Sequence, residues 1–137
     1  MSDPLVQTTR STPPTRSWLD SVQDALRGIG VMFRTQRNAR IQAVLFVSVV
    51  VLSLILRITL AEWAVVLLVS GLVFATEALN TAVEELANEI SREIRPGLGR
   101  AKDVAAGATL LASIFAAAVG VTVFLPRLIA LVPAISK

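Results

Sequence analysis

Two stretches limit what this chain can fold into. From Ile41 to Leu60 it reads IQAVLFVSVVVLSLILRITL, with Arg57 the one charge, and from Val104 to Pro126 no charged residue occurs. Each approaches the ~20 apolar residues that cross a hydrocarbon layer of ~30 Å. A third run, WAVVLLVSGLVFAT, puts fourteen uncharged residues between Glu62 and Glu77. It is too short to span alone, and it reaches full length if the helix continues through EALNTAVEEL behind it. With 137 residues, 54% of them hydrophobic, the chain suits one membrane-embedded unit better than a soluble domain. The expectation is an all-α membrane protein with transmembrane helices at about 41–60, 62–90 and 101–125. A surface helix over 17–37 completes a membrane domain of 17–126, between a disordered tail at 1–16 and a short C-terminal tail at 127–137.

The N-terminal tail, MSDPLVQTTRSTPPTRS, has no apolar core and carries Pro4, Pro13 and Pro14, so it is not read as a signal peptide. Cysteine and histidine are absent, which excludes disulfides, thiolate or imidazole metal sites and histidine-based catalysis within the chain. Six arginines precede the first span, and Arg92, Arg95, Arg100 and Lys102 follow the second. The positive-inside rule places the N-terminus and the 91–103 loop in the cytoplasm and the C-terminus outside. The basic residues read as topology signals and anionic-lipid contacts. No interleaving of basic and aromatic residues points to nucleic acid.

Ser17 followed by Asp20 forms a capping signal. Behind it, Trp18, Val22, Ala25, Leu26, Ile29 and Phe33 recur at helical spacing, the pattern of an amphipathic helix in the interface or against the bundle. Ala108, Ala112, Ala116 and Gly120 make a small-residue stripe that lets membrane helices approach closely, within or between protomers. Three spans with a polar face need partners, so an oligomer is expected. Trp63 and Glu62 read as outer-interface residues and Arg57 as snorkelling to the outer head groups.

The polar face is the informative feature. At about 100° per residue, Glu77, Asn80, Glu84 and Asn88 fall in one narrow stripe, with Thr81 at its edge and Glu85 well outside it. An ionisable residue at hydrocarbon depth costs roughly 2.5–3.5 kcal/mol on insertion scales and marks a site by default. The stripe ends before RPGLGRAKD, which supplies Arg100, Lys102 and Asp103. Carboxylates facing cations at a membrane surface suit a metal, a phosphate or both, and Mg²⁺ accepts one or two carboxylates plus substrate phosphates. No P-loop and no kinase H-R-D or D-F-G set is present, and Pro96, Gly97 and Gly99 read as turn punctuation.

The segments EALNTAVEELANEI and RPGLGRAKDVAAGA, with ALRGIGVMFRTQRNARIQ upstream, resemble the prokaryotic diacylglycerol kinase family over residues 18–126. The matching signature is E-x-x-N-S/T-A-I/V-E followed by A-K-D, here Glu77 to Glu84 and Ala101 to Asp103. RNARIQ and KDVAAGA look closer to its undecaprenol kinase branch. The resemblance implies a homotrimeric lipid kinase of a bacterial inner (plasma) membrane, with active sites shared between subunits, ATP as donor, Mg²⁺ as cofactor, and a lipid alcohol, undecaprenol or diacylglycerol, as acceptor. It further implies Glu77 as general base and Glu84 as Mg²⁺ ligand, with Asn80, Lys102 and Asp103 around the nucleotide phosphates. Glu93 and Arg95 fall in the nucleotide-contacting loop. Where the family carries a second metal-binding glutamate in an E-R-N context, this chain has Gln36 in TQRN, and Asn88 stands where some members have Asp. A catalytically impaired member, or a non-enzymatic membrane assembly using the stripe as an ion path, is the alternative. Lys102 disfavours the ion path, because a cation route has little use for a lysine facing its acids.

Overall fold

The structure, a computed structural model, describes residues 17–91, 93 and 95–135, the side chains of 132–135 excepted. The N-terminal tail, Arg92, Ile94, Ser136 and Lys137 lie outside the described residues. Four helices follow in order: α1 (Trp18–Thr35), α2 (Arg37–Ile55), α3 (Leu60–Ile90) and α4 (Pro96–Ile135). The last three are each long and apolar enough to cross a membrane, so the expected all-α plan of three spans behind a shorter N-terminal helix is what forms.

The helix ends are set by local chemistry. The Ser17 hydroxyl accepts from Leu19 N–H at 3.3 Å while Asp20 accepts from Ser17 N–H at 3.0 Å, a reciprocal cap for α1. Thr59 and Glu62 repeat the device at the start of α3. A single extended residue, Gln36, separates α1 from α2. Between α2 and α3, Ile58 N–H donates to Ser53 C=O and Arg57 N–H to Leu54 C=O, which is a Schellman closure. It puts Arg57 at φ 48°, a left-handed conformation usually left to glycine. Arg57 therefore sits in the turn beyond α2 and not inside the first span, which ends at Ile55.

The third span differs most from its sequence reading. Pro96 occupies the first helical position of α4, where its missing N–H is no loss, and Gly97 and Gly99 are helical instead of forming a turn. The α3–α4 connection thus shrinks to 91–95, and Lys102 and Asp103 stand on the second turn of a helix. At the other end α4 runs through Pro126 to Ile135, so most of 127–137 is helix and not tail. Directly after Pro126, Arg127 ties this part of α4 to its neighbour. Its guanidinium donates to both Glu62 carboxylate oxygens at 2.7 Å and to Val123 C=O at 2.9 Å. This fork joins the start of α3 to the far part of α4.

α3 and α4 form the main packed pair, with Ile58, Val66, Val123 and Phe124 as the buried cluster near that end. Ala112, of the small-residue stripe, is buried, while Ala108 is exposed and Ala116 and Gly120 are half-buried. Phe74 of α3 contacts Phe46 of α2 edge-on, centroids 5.8 Å apart, and Phe33 of α1 at 6.2 Å. That aromatic trio docks the end of α1 and the middle of α2 on α3. The beginning of α1 is free of the bundle, with Trp18, Leu19, Leu26 and Ile29 exposed. Such an apolar face is what a helix lying at a membrane interface presents to lipid.

The 31 residues of α3 extend ~46 Å at ~1.5 Å per residue, more than the hydrocarbon thickness. Cysteines placed singly at Ala61 and Ser91 are therefore expected to react with an impermeant reagent from opposite sides of intact cells. Reaction from one side only would remove the three-span topology.

Candidate active site

The polar stripe of α3 meets a different partner at each level. Deepest is Glu77, 1% exposed, whose Oε2 accepts a long bond of 3.3 Å from Gln42 Nε2 on α2. Two turns on, Glu84 Oε2 accepts from Gln36 Nε2 at 2.7 Å, and one turn further Asn88 Oδ1 accepts from Lys102 Nζ at 3.2 Å. The single-residue break between α1 and α2 puts Gln36 where it reaches α3. The early start of α4 does the same for Lys102. Glu77 and Glu84 are separated by ~10 Å along the helix.

Around Glu77 the side chains leave hydrogen-bonding capacity unused. A cavity of about 260 Å³ is lined by Asn38, Gln42, Glu77, Asn80, Thr109 and Ser113, among others. Four buried oxygens have no protein partner: Gln42 Oε1, Glu77 Oε1, Asn80 Oδ1 and Thr109 Oγ1. Buried polar atoms are almost always paired, and each one left without a partner costs about 1–3 kcal/mol. Four of them on the residues of one cavity make it the candidate site. Gln42 and Ser113 also line a second cavity of about 270 Å³, walled by Phe46, Val66, Val73, Phe74, Val119 and Phe124 and running toward the Arg127 end. The arrangement can take a molecule with a polar end at Glu77 and an apolar body beside it.

Glu77, Asn80, Glu84 and Lys102 thus share one face with Gln36 and Gln42. Asp103 lies at the edge of that face and is exposed. Glu93 and Arg95 are exposed in the short α3–α4 connection, where Glu93 N–H donates to Ser91 Oγ at 3.1 Å, and they do not line the cavity. Glu85 and Glu89 are exposed. Gln42 and Thr109 escaped the sequence reading. The signal for Gln42 was an amide inside an otherwise apolar run. For Thr109 it was the seven-residue step from Lys102, which returns a helix to the same face.

Among the described residues, no group of three or more acidic side chains could hold a metal alone. Glu84 with Gln36 offers one carboxylate and one amide carbonyl. That is sparse for an independent site and sufficient for Mg²⁺ arriving with nucleotide phosphates, which needs only one or two protein carboxylates. The residues fit the ion in that restricted sense, provided the Gln36 amide turns its oxygen toward it.

Three membrane-length helices around an intramembrane carboxylate define a small polytopic membrane protein with a polar site at one end of an apolar cleft. The family model for prokaryotic diacylglycerol kinase matches residues 23–124, and the chain belongs to that family of membrane lipid kinases. It is 33% identical to an undecaprenol kinase of Bacillus subtilis over 102 residues, which cover 74% of this chain and 83% of that protein. It is 40% identical to a diacylglycerol kinase of Synechocystis over 114 residues, 82% of this chain and 65% of that longer protein. No solved structure matches the chain.

Proposed function

We propose that the protein transfers the γ-phosphoryl group of ATP to the hydroxyl of a membrane lipid alcohol, undecaprenol or a diacylglycerol, at the cytoplasmic face. The observation that carries this reading is Glu77: a carboxylate buried in a membrane helix, with one oxygen held by Gln42 and the other facing the cavity without a partner. The free Oε1 takes the alcohol proton as the alcohol oxygen bonds to the γ-phosphorus. The bond from that phosphorus to the β,γ-bridging oxygen breaks, and ADP leaves with the electron pair. No covalent enzyme intermediate is needed, so the task of the protein is positioning and charge balance.

Glu84 and Gln36 would hold Mg²⁺ arriving with the nucleotide, and the ion would supply charge neutralisation on the phosphate oxygens. Lys102 turns from Asn88 to the same phosphates, while Asn80 and Asp103 border them. Glu93 and Arg95 meet the outer part of the nucleotide. Because Gln36 brings no charge, this chain requires more Mg²⁺ than a relative with glutamate there. The working unit is a homotrimer, in which a neighbouring subunit covers the open side of each cleft. The exposed apolar face of α1 lies in the cytoplasmic leaflet.

In detergent micelles, ATP turnover should require Mg²⁺ and rise when undecaprenol or dioleoylglycerol is added. Turnover indifferent to both lipids would contradict the assignment.

A further inference from the structure

Seven residues beyond Lys102 on α4, Thr109 is 8% exposed and lines the Glu77 cavity. In a membrane helix, a hydroxyl normally donates to the carbonyl one turn back, which satisfies it at no cost in packing. Ser48, Ser53, Thr76, Thr81, Ser113 and Thr122 do so, at 2.7–3.0 Å, and the half-buried Ser70 does not. Thr109 does not: its Oγ1 is buried and has no protein partner. Its own carbonyl is used by Ser113 at 2.9 Å, so the backbone around it is regular and the departure is confined to the side chain.

The three other unpartnered atoms of the cavity, Gln42 Oε1, Glu77 Oε1 and Asn80 Oδ1, are acceptors. Thr109 Oγ1 is the one among the four that carries a proton. An alcohol entering the cavity has one proton to give and two lone pairs. Glu77 takes the proton and the phosphorus takes one lone pair. The second lone pair needs a donor, and Gln42 Nε2 is already committed to Glu77. Of the remaining donors on the cavity, the Asn38 and Asn80 amide nitrogens are outside the buried unpartnered set, whereas the Thr109 hydroxyl is inside it.

We propose that Thr109 is a substrate-positioning residue whose hydroxyl donates to the oxygen of the acceptor alcohol and holds it over Glu77. This rests on the lipid-kinase reading above. The bond is made to bound substrate and persists through transfer, so losing it weakens binding more than it slows the chemical step. Thr109→Val keeps the shape and removes the donor.

The test is steady-state phosphorylation of undecaprenol and of dioleoylglycerol in mixed micelles by the full chain, with Thr109→Val, Thr109→Ala and Thr109→Ser beside it. Thr109→Val and Thr109→Ala should raise the KM for lipid alcohol about three- to tenfold, the size of one ordinary hydrogen bond, with kcat and the KM for ATP near native. Thr109→Ser should restore the lipid KM. The proposal is overturned if both hydroxyl-free variants keep the native lipid KM. It is equally overturned if they lose thermal stability and kcat while lipid KM stays fixed, because the hydroxyl then serves packing between helices or subunits. If the unmodified chain phosphorylates neither lipid, the lipid-kinase reading falls and this inference with it. A working native enzyme with indifferent Thr109 variants sinks the inference alone.

Discussion

Glu77→Gln is expected to lower lipid phosphorylation by about 10²–10⁴-fold, equivalent to ~3–5 kcal/mol of barrier, while Mg-ATP still binds with near-native affinity. The substitution keeps the shape and removes the base. The amide oxygen of the new side chain can still accept from Gln42 Nε2, so the 3.3 Å contact between α2 and α3 survives. A neutral amide is also cheaper than a carboxylate to bury at 1% exposure within a membrane helix. The variant should therefore melt no lower than the native protein, and an increase is the expected sign. Loss of activity with retained or raised stability is what separates a functional carboxylate from a structural one. Steady-state rates, nucleotide titration and a thermal scan on one preparation read all three quantities.

The second large effect is at the other end of the stripe. Glu84→Gln should weaken Mg-ATP binding by about 10–100-fold, since removing even indirect supports of a metal site costs that much. Lys102→Ala should act in the same direction through lost phosphate neutralisation. Its partner Asn88 is neutral, so no buried charge is stranded. Gln36→Glu should show the converse. In the native chain Gln36 donates to Glu84 at 2.7 Å, and a second carboxylate there sets two like charges within contact. The variant should melt lower in chelator, recover in Mg²⁺, and need less Mg²⁺ for turnover. A variant indifferent to Mg²⁺ in both melting and turnover would remove the metal role from this pair.

The apolar runs and the polar stripe are local properties, which is why the number of spans, the capped start of α1 and the face bearing Glu77, Asn80 and Glu84 were readable in advance. The Thr59–Glu62 cap has the same spacing as Ser17–Asp20 and is equally local, although in the sequence Glu62 stands out only as an interface residue. What stayed hidden depended on partners distant in sequence. Arg127 lies 65 residues from Glu62, and their fork becomes visible only once α3 and α4 pack together. Gln42 is an unremarkable amide until α2 packs beside Glu77. The glycines of the α3–α4 segment looked like a loop because their composition favours one, whereas Pro96 in the first helical position starts α4 early. Thr109 could not be separated from the other helical hydroxyls by sequence, because its distinction is a buried oxygen without a partner, which only packing creates.

The central claim is that phosphate passes from ATP to a lipid hydroxyl at Glu77. Its most direct test is to incubate the purified chain with γ-labelled ATP, Mg²⁺ and undecaprenol, dioleoylglycerol or ceramide, then follow label into the organic phase. Label should appear in the lipid fraction for at least one alcohol, depend on Mg²⁺, and fall at least about 100-fold in Glu77→Gln. Label that stays in water as inorganic phosphate with every lipid, or enters lipid equally in Glu77→Gln, would contradict it.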